Sequence, residues 1–292
     1  KGTLEQTITN LAEKWGDEQG RLDILRTLED PELYAPVVES AATICQAFEM
    51  DILNPFYQKV RDKIRQVNDN HILFIEHNYF ANTGIRSAIE VPLDENGIPD
   101  SNIAYAAHGY DLVTDTKEVA TPASGRVDFI FNRIKEKSDA LNIPLFVGEW
   151  GAYGGSHPIY EITSAGVMSF FEKFTCSDTY WAYDGVGFNQ KAIFPVLNRA
   201  FPVATSGHLL YYAYNASDGS FIAEYETTGL ERYSTRIYFP NKSSFIEDNL
   251  IISPKSKFTV EQSIMGPGVF VVIPPSSFVG KRKIIYFKPV KN

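Results

Sequence analysis

The sequence predicts an α/β region of parallel strands followed by an antiparallel β-sandwich. In the first 200 residues, short apolar runs of strand length alternate with amphipathic helical segments, which is the βαβαβ order of a parallel sheet. After about residue 200 the helical patterns stop, and short strand candidates follow one another between Gly, Pro, Asn and Ser. We therefore expect two domains, residues 1–200 and 201–292.

Helices separated by turns are predicted before the first strand. Asp30 and Pro31 are typical of a helix start, a capping side chain followed by proline at the first helical position, and the helix is expected to reach about Phe48. Asn54-Pro55 predicts the start of a further helix, because apolar residues then recur at helical spacing. These residues are Tyr57, Val60, Ile64 and Val67.

Four apolar runs predict the strands of the first domain. They span residues 71–75, 103–107, 144–147 and 179–183. Because the runs are apolar throughout, we expect strands that are buried on both faces. Longer polar and Gly-rich stretches follow them, and in an α/β barrel the loops at the carboxyl ends of the strands carry the function.

Seven short strands are predicted in the second domain. They span residues 209–214, 220–226, 235–239, 250–252, 258–262, 268–273 and 283–287, and the segment 215–219 is typical of a hairpin turn. Seven short strands within about ninety residues favour an antiparallel sandwich.

Composition and spacing exclude several classes of function. With 27 Lys and Arg against 36 Asp and Glu, the net charge is -9, which argues against a nucleic-acid partner. The sequence has no apolar run near the roughly 20 residues of a transmembrane helix. Cys45 and Cys176 lack CxxC spacing and are expected to be buried free thiols, and the five histidines show no HxH or HxxxH spacing. We predict no metal and no cofactor.

Polar and aromatic residues of catalytic type follow each predicted strand of the first domain. Each signal is weak alone, but a barrel brings the ends of separate strands to one pocket. A sugar-cleaving site needs a carboxylate to attack the anomeric carbon and an acid to protonate the leaving oxygen. Glu149 suits the first role, His108 and Tyr110 could keep it ionised and oriented, and Trp181 could stack on a sugar ring.

Three motifs together resemble the later half of a clan A, family five glycoside hydrolase, and in particular its endoglycoceramidase-like subgroup. They are Phe146-Val-Gly-Glu-Trp-Gly151, His108-Gly-Tyr110 and Tyr180-Trp-Ala-Tyr-Asp184. The resemblance covers about residues 51–292. It implies the second half of a (β/α)8 TIM barrel followed by the β-sandwich.

The resemblance also implies roles for residues of this chain. Glu149 would be the retaining nucleophile, His108 and Tyr110 would be hydrogen-bonding residues of the active site, and Trp181 would be the stacking platform. The residues that we expect to contact or border the substrate are Trp181, Trp150, Glu76, His77, Tyr79 and Asp184.

One element of the family pattern is missing. The acid/base of that family is the Glu of an Asn-Glu-Pro motif, and the sequence contains none. Four strands also cannot close an eight-stranded barrel, and an open half exposes two edges. We expect this chain to be the C-terminal portion of a larger enzyme, with the N-terminal half barrel and the acid/base on a separate polypeptide.

Several functional interpretations remain open at this point. The resemblance implies hydrolysis of a carbohydrate or glycolipid, with an oligosaccharide or sugar linked to ceramide. The alternatives are a β-glucan, β-mannan or β-glucoside hydrolase of the same family, and a non-catalytic carbohydrate-binding protein. A secreted or extracytoplasmic location is expected, with the signal peptide on the N-terminal part. Asn215 and Asn241 lie in matches to the glycosylation motif, which do not decide the compartment.

Overall fold

The structure is a computed structural model of the 292-residue chain, and it describes residues 6, 9, 12–114, 124–264 and 266–287. Part of the polar stretch that follows the second predicted strand, residues 115–122, therefore lies outside the described residues. The chain divides into two compact units, one of Lys1–Gly154 with Cys176–Gly185 and one of Gly155–Thr175 with Val186–Asn292. The domain boundary at residue 200 stays a prediction.

The first unit begins with helices. Helix α1 spans Glu18–Thr27 and helix α2 spans Pro31–Phe48, where the Asp30 side chain accepts a hydrogen bond from the backbone of Glu32 as a helix cap. A π-helical segment, Glu49–Leu53, joins α2 directly to helix α3, Asn54–Arg65. The expected turn before Asn54 is therefore wrong, because the chain stays helical through this segment, where the N–H of Asn54 donates to the carbonyl of Glu49.

Four short parallel strands follow in the first unit. They are β1 (Leu73–Ile75), β2 (Ile103–Tyr105), β3 (Phe146–Gly151) and β4 (Ser177–Trp181), and helix α4 (Ser124–Leu141) lies between β2 and β3 in the chain. Strand β1 pairs with β2 and β3 pairs with β4, all in parallel. Parallel bridges from Tyr105 to Leu145 and from His108 to Glu149 connect the two pairs. The predicted α/β fold is confirmed.

The expectation that all four strands are buried on both faces is wrong. Strand β2 is buried throughout, whereas β1 contains one buried and one exposed residue, and exposed and half-buried residues alternate in β4. Phe74 of β1 and Trp181 of β4 are more than half exposed. Among the described strands of this unit, β1 and β4 each have one pairing neighbour, so each leaves one edge open.

The second unit contains helices α5 (Ile159–Phe174) and α6 (Phe194–Leu197) and eight antiparallel strands in two sheets. The strands are β5 (Phe201–Ala204), β6 (His208–Tyr214), β7 (Phe221–Thr227), β8 (Thr235–Phe239), β9 (Leu250–Ser253), β10 (Thr259–Gln262), β11 (Val269–Ile273) and β12 (Gly280–Tyr286). Their order is β10-β11-β8-β5 in one sheet and β6-β7-β12-β9 in the other.

Both sheets contribute to one hydrophobic core. Ile237 and Val271 of the first sheet and Ala223 and Ile284 of the second are fully buried in the same cluster. The seven predicted strands are all present, and β5 is an additional strand. The β5 run is short and contains Pro202, and proline in a sheet is confined to edges, which is where β5 lies.

Within the described residues, no helix combines the length and the apolar character needed to cross a bilayer. Cys45 is buried and Cys176 is partly buried, and both are free thiols.

Candidate active site

The ends of the four parallel strands border one cavity of about 700 Å³. Its wall includes Glu76 after β1, His108 and Tyr110 after β2, Glu149 on β3 and Trp181 at the end of β4. These five residues come from four separate segments of the chain. Parallel strands bring them together because their carboxyl ends lie at the same edge of the sheet.

Two side chains from the segment after β2 lie against the Glu149 carboxylate. The Tyr110 hydroxyl donates a hydrogen bond of 2.9 Å to Oε2 of Glu149, and Nδ1 of His108 lies 3.5 Å from the same oxygen. The backbone is held by the ladder, since the N–H of Gly109 donates to the carbonyl of Glu149 over 3.0 Å. A side chain at Gly148 would place a Cβ 3.1 Å from the His108 ring, so the glycine makes room for the imidazole.

Glu76 is a second carboxylate in contact with the same imidazole. Its Oε1 lies 3.1 Å from Nδ1 of His108. Partial burial, and then the charge of Glu149, raise the pKa of Glu76 to about 7. Burial lowers the pKa of His108, while the Glu149 charge opposes that shift. The site therefore contains two carboxylates and one imidazole in close contact.

His77 is a buried, neutral part of the wall. Its Nδ1 lies 2.5 Å from the Tyr105 hydroxyl and its Nε2 lies 2.8 Å from Oδ1 of Asn82. Because the amide oxygen only accepts, we assign the ring proton to Nε2 and let the tyrosine donate to Nδ1. Burial lowers the pKa of His77 to about 4, against the smaller effect of the Asn82 hydrogen bond.

A buried carboxylate behind the cavity fixes the loop that follows β1. Glu49, in the π-helical segment, is fully buried and accepts hydrogen bonds from the backbone and the side-chain amide of Asn78, at 2.9 and 2.8 Å. The Ser87 hydroxyl and the Ala88 N–H donate to it as well. One side chain thus ties both ends of the loop that carries His77 to the helices.

Asp111 lines the cavity but is committed to an ion pair. It pairs with Arg126 of α4 through both carboxylate oxygens, and both side chains are almost completely buried. Arg126 also donates to the backbone carbonyl of Leu25. This pair anchors the segment that follows Tyr110.

Aromatic side chains stand at the rim of the cavity. Trp181 is 57% exposed and Tyr79 is 73% exposed, and both belong to its wall. Exposed aromatic faces are apolar surfaces on which a sugar ring or a lipid can pack.

The part of the chain that forms this cavity falls within a known family. A family model described as "Cellulase (glycosyl hydrolase family 5)" matches residues 35–187, just over half of the chain. This chain belongs to glycosyl hydrolase family 5. The matched range includes β1 to β4 and all five cavity residues named above. A comparison with curated protein sequences gives no match.

Several solved structures share the fold of most of this chain. Endo-glycoceramidase II from Rhodococcus sp. matches with a TM-score of 0.68 and 20% identity, over 84% of this chain and 56% of that chain. The lactosyl-enzyme intermediate of the same protein matches with a TM-score of 0.66 and 18% identity, over 84% and 55%. Sterylglucosidase 1 from Cryptococcus neoformans matches with a TM-score of 0.57 and 14% identity, over 82% and 45%.

The family model confirms the predicted family, and the solved structures show a shared fold with endo-glycoceramidase II. The chain spans just over half of the length of those endo-glycoceramidase structures.

Two of the predicted substrate-contacting residues lie away from the cavity wall. Trp150 is completely buried, and its indole N–H donates a 2.8 Å hydrogen bond to Asp178. Successive side chains of a strand point to opposite faces, so Glu149 in the cavity directs Trp150 into the core. Asp184 is exposed and is not among the described residues of the cavity wall. The expectation of substrate contact through Trp150 is therefore corrected.

The remaining predicted residues, Glu76, His77 and Tyr79, all belong to the cavity wall. Sequence reasoning did not identify Asn82, which lines the cavity and contacts His77, or Glu49, which holds the wall from behind. The only sequence signal for Glu49 is an acidic residue among apolar positions of a helix, which is too common to single out.

Proposed function

We propose that this chain supplies the nucleophile of a retaining glycoside hydrolase that acts on glycolipids, and that Glu149 is that nucleophile. The proposal rests mainly on the position of the Glu149 carboxylate in the cavity wall, where one of its oxygens lies 2.9 Å from the Tyr110 hydroxyl. A retaining hydrolase needs an oriented, ionised carboxylate beside the anomeric carbon. The fold likeness to a lactosyl-enzyme intermediate supports a covalent route.

The chemistry has two steps. An oxygen of Glu149 forms a bond to the anomeric carbon while the glycosidic bond breaks, and a general acid gives a proton to the leaving oxygen. Water then attacks the same carbon, the residue that acted as acid takes its proton, and Glu149 leaves. Tyr110 steadies the carboxylate by its hydrogen bond, and Trp181 offers the sugar an apolar face.

We assign the general acid to no residue of this chain. Asp111 is paired with Arg126 and Glu76 contacts His108.

We propose that β1 to β4 form half of a (β/α)8 barrel, with the antiparallel sheets as an appended sandwich. The open edges of β1 and β4 would pair with the other half, which would carry the acid.

Glycolipid is the substrate class that the similar folds favour. Endo-glycoceramidase II and sterylglucosidase 1 both match in fold, and both names denote action on a sugar attached to a lipid. Exposed Tyr79 and Phe80 beside the cavity offer apolar surface for such a lipid part. A β-glucan is the second candidate, because the family model is described as a cellulase.

Covalent labelling tests the role of Glu149 without any general acid. A dinitrophenyl 2-deoxy-2-fluoro-β-glucoside has a leaving group that needs no protonation, so attack by Glu149 leaves a stable glycosyl ester. We expect peptide mass spectrometry to find the label on Glu149, no label in Glu149→Gln, and normal labelling in the exposed control Glu95→Gln. Absence of label in the wild-type chain together with sugar binding would support a non-catalytic carbohydrate-binding protein instead.

Hydrolysis assays then separate the substrate classes. We expect cleavage of a ceramide β-glycoside or a sterol β-glucoside to exceed that of a cello-oligosaccharide, measured with the complete enzyme. The reverse order would favour the β-glucan interpretation.

A further inference from the structure

The His108 imidazole lies between two carboxylates and contacts both through one nitrogen. Nδ1 is 3.1 Å from Oε1 of Glu76 and 3.5 Å from Oε2 of Glu149. One ring nitrogen carries at most one hydrogen, so it makes a good hydrogen bond to one carboxylate at a time. The shorter distance assigns this hydrogen bond to Glu76.

The backbone of Glu76 is fixed from the helical side. The Tyr57 hydroxyl of α3 donates to its carbonyl over 3.0 Å and accepts from its N–H over 3.2 Å. The carboxyl group therefore approaches His108 from a fixed point at the end of β1. In the described part of the chain, His108 is the one basic side chain within ion-pair distance of Glu76.

The other titratable groups around this pair are acidic or hydroxylic, apart from the neighbouring imidazole of His77. Glu149 faces it from β3, Tyr57 from α3 and Tyr105 from β2, and Glu49 and His77 lie nearby. Burial and Glu149 raise the pKa of Glu76 to about 7, so the pair can retain one proton near neutral pH. With that proton the pair is neutral, whether the proton lies on Glu76 or on the imidazole, and without it the pair has one negative charge.

We propose that Glu76 is a positioning residue of this site, which draws the Nδ1 hydrogen bond of His108 to itself and so leaves the Glu149 oxygens to Tyr110 and the substrate. The inference rests on the proposed role of Glu149. A carboxylate that accepts a second strong hydrogen bond is a weaker nucleophile. Removing Glu76 as a charged acceptor would turn His108 towards Glu149, because a charged acceptor attracts the N–H more strongly than the neutral amide of glutamine.

The first test is a nuclear magnetic resonance titration of the histidine ring protons in the full chain, which has five histidines. If His108 turns to Glu149 when Glu76 is replaced, its midpoint should depend more strongly on Glu149, so Glu149→Gln should lower the His108 midpoint by at least about one pH unit more in the Glu76→Gln background than in wild type. The exposed control Glu95→Gln should leave the His108 midpoint unchanged. An equal effect of Glu149→Gln on the His108 midpoint in both backgrounds would overturn the proposal.

The second test is the rate of labelling by the dinitrophenyl fluoroglucoside. Glu76→Gln should slow labelling about tenfold, which is the effect of one added hydrogen bond to a charged group. The labelling rate of Glu76→Asp, which keeps the charge, should lie between the rates of wild type and Glu76→Gln. This variant also controls for a folding defect in Glu76→Gln.

The outcomes are distinguishable from a failure of the proposed function. No label on wild-type Glu149 overturns the proposed function whatever His108 does. If the wild type is labelled and Glu76→Gln is labelled at the same rate, the positioning role is overturned. This holds even if the variant turns over substrates with poor leaving groups more slowly. That last pattern would identify Glu76 as a proton donor instead.

Discussion

Replacing Glu49 by glutamine should destabilise the first unit and loosen the loop after β1. The fully buried carboxylate accepts two hydrogen bonds from Asn78 and others from Ser87 and Ala88. Glutamine keeps one oxygen for the Asn78 donors but presents an NH₂ group to the Ala88 N–H. The substitution thus sets a donor against a donor at a buried position.

The magnitude follows from these contacts. Losing the Ala88 bond to a charged acceptor costs about 1.5–3 kcal/mol. The Asn78 bonds change from charge-assisted to neutral, which removes roughly a further 1 kcal/mol. We therefore expect a loss of about 3 kcal/mol in the free energy of unfolding, which corresponds to roughly 6–12 °C in the Tm of a unit of this size.

Urea unfolding measures the loss, and Asp51→Asn is the matched control because Asp51 is an exposed acid of the same π-helical segment. Hydrogen exchange of the peptides that cover residues 76–90 should accelerate in Glu49→Gln and stay unchanged in Asp51→Asn. If both variants lie within about 0.5 kcal/mol of wild type and exchange equally slowly, Glu49 does not hold the loop and the reasoning is refuted.

Two further predictions concern the same wall. His77 has a folded pKa of about 4 against an ordinary value of 6.5, so its contribution is complete above pH 6.5 and is lost as the pH falls towards 4, by about 3 kcal/mol. Urea unfolding over this pH range should show the loss in wild type and a shallower slope in His77→Asn, and equal slopes would contradict it. Gly148→Ala places a Cβ 3.1 Å from the His108 ring and should slow labelling of the site at least about tenfold, an effect of roughly 1.4 kcal/mol. The control Gly166→Ala, whose Cβ meets nothing within 4 Å, should keep the rate, and an equal loss in both would show a general folding effect.

Elements and strand-end residues were predictable because their signals are local. The cap at Asp30, the alternation along β8 and the apolar run of β2 each depend on residues within a few positions of one another. The convergence of Glu149 and His108 follows as well, since any residue just past a parallel strand comes to the same edge. Predictions of this kind need the order of the strands but no contact distances.

The residues that hold the site in place were not predictable, because their partners are distant in the sequence. Glu49 reaches Asn78 across 29 positions and Ala88 across 39, and no spacing rule connects them. Arg126 and Asp111 are 15 positions apart and belong to a helix and a loop whose packing decides the pair. A buried charge in the sequence shows only that some partner exists. Which partner it has is a property of tertiary structure.

The motif Gly148-Glu-Trp-Gly151 shows why four adjacent residues can carry specific information when each alone carries little. Glycine 148 leaves room for an imidazole, and Glu149 faces the cavity. Alternation then requires an apolar residue next, and Trp150 fills the core while its N–H finds a carboxyl partner. Gly151 has φ +134°, and a Cβ there would lie 2.5 Å from the Trp181 carbonyl oxygen. The four residues meet four different constraints, so a substitution at any one of them should disturb a different part of the site.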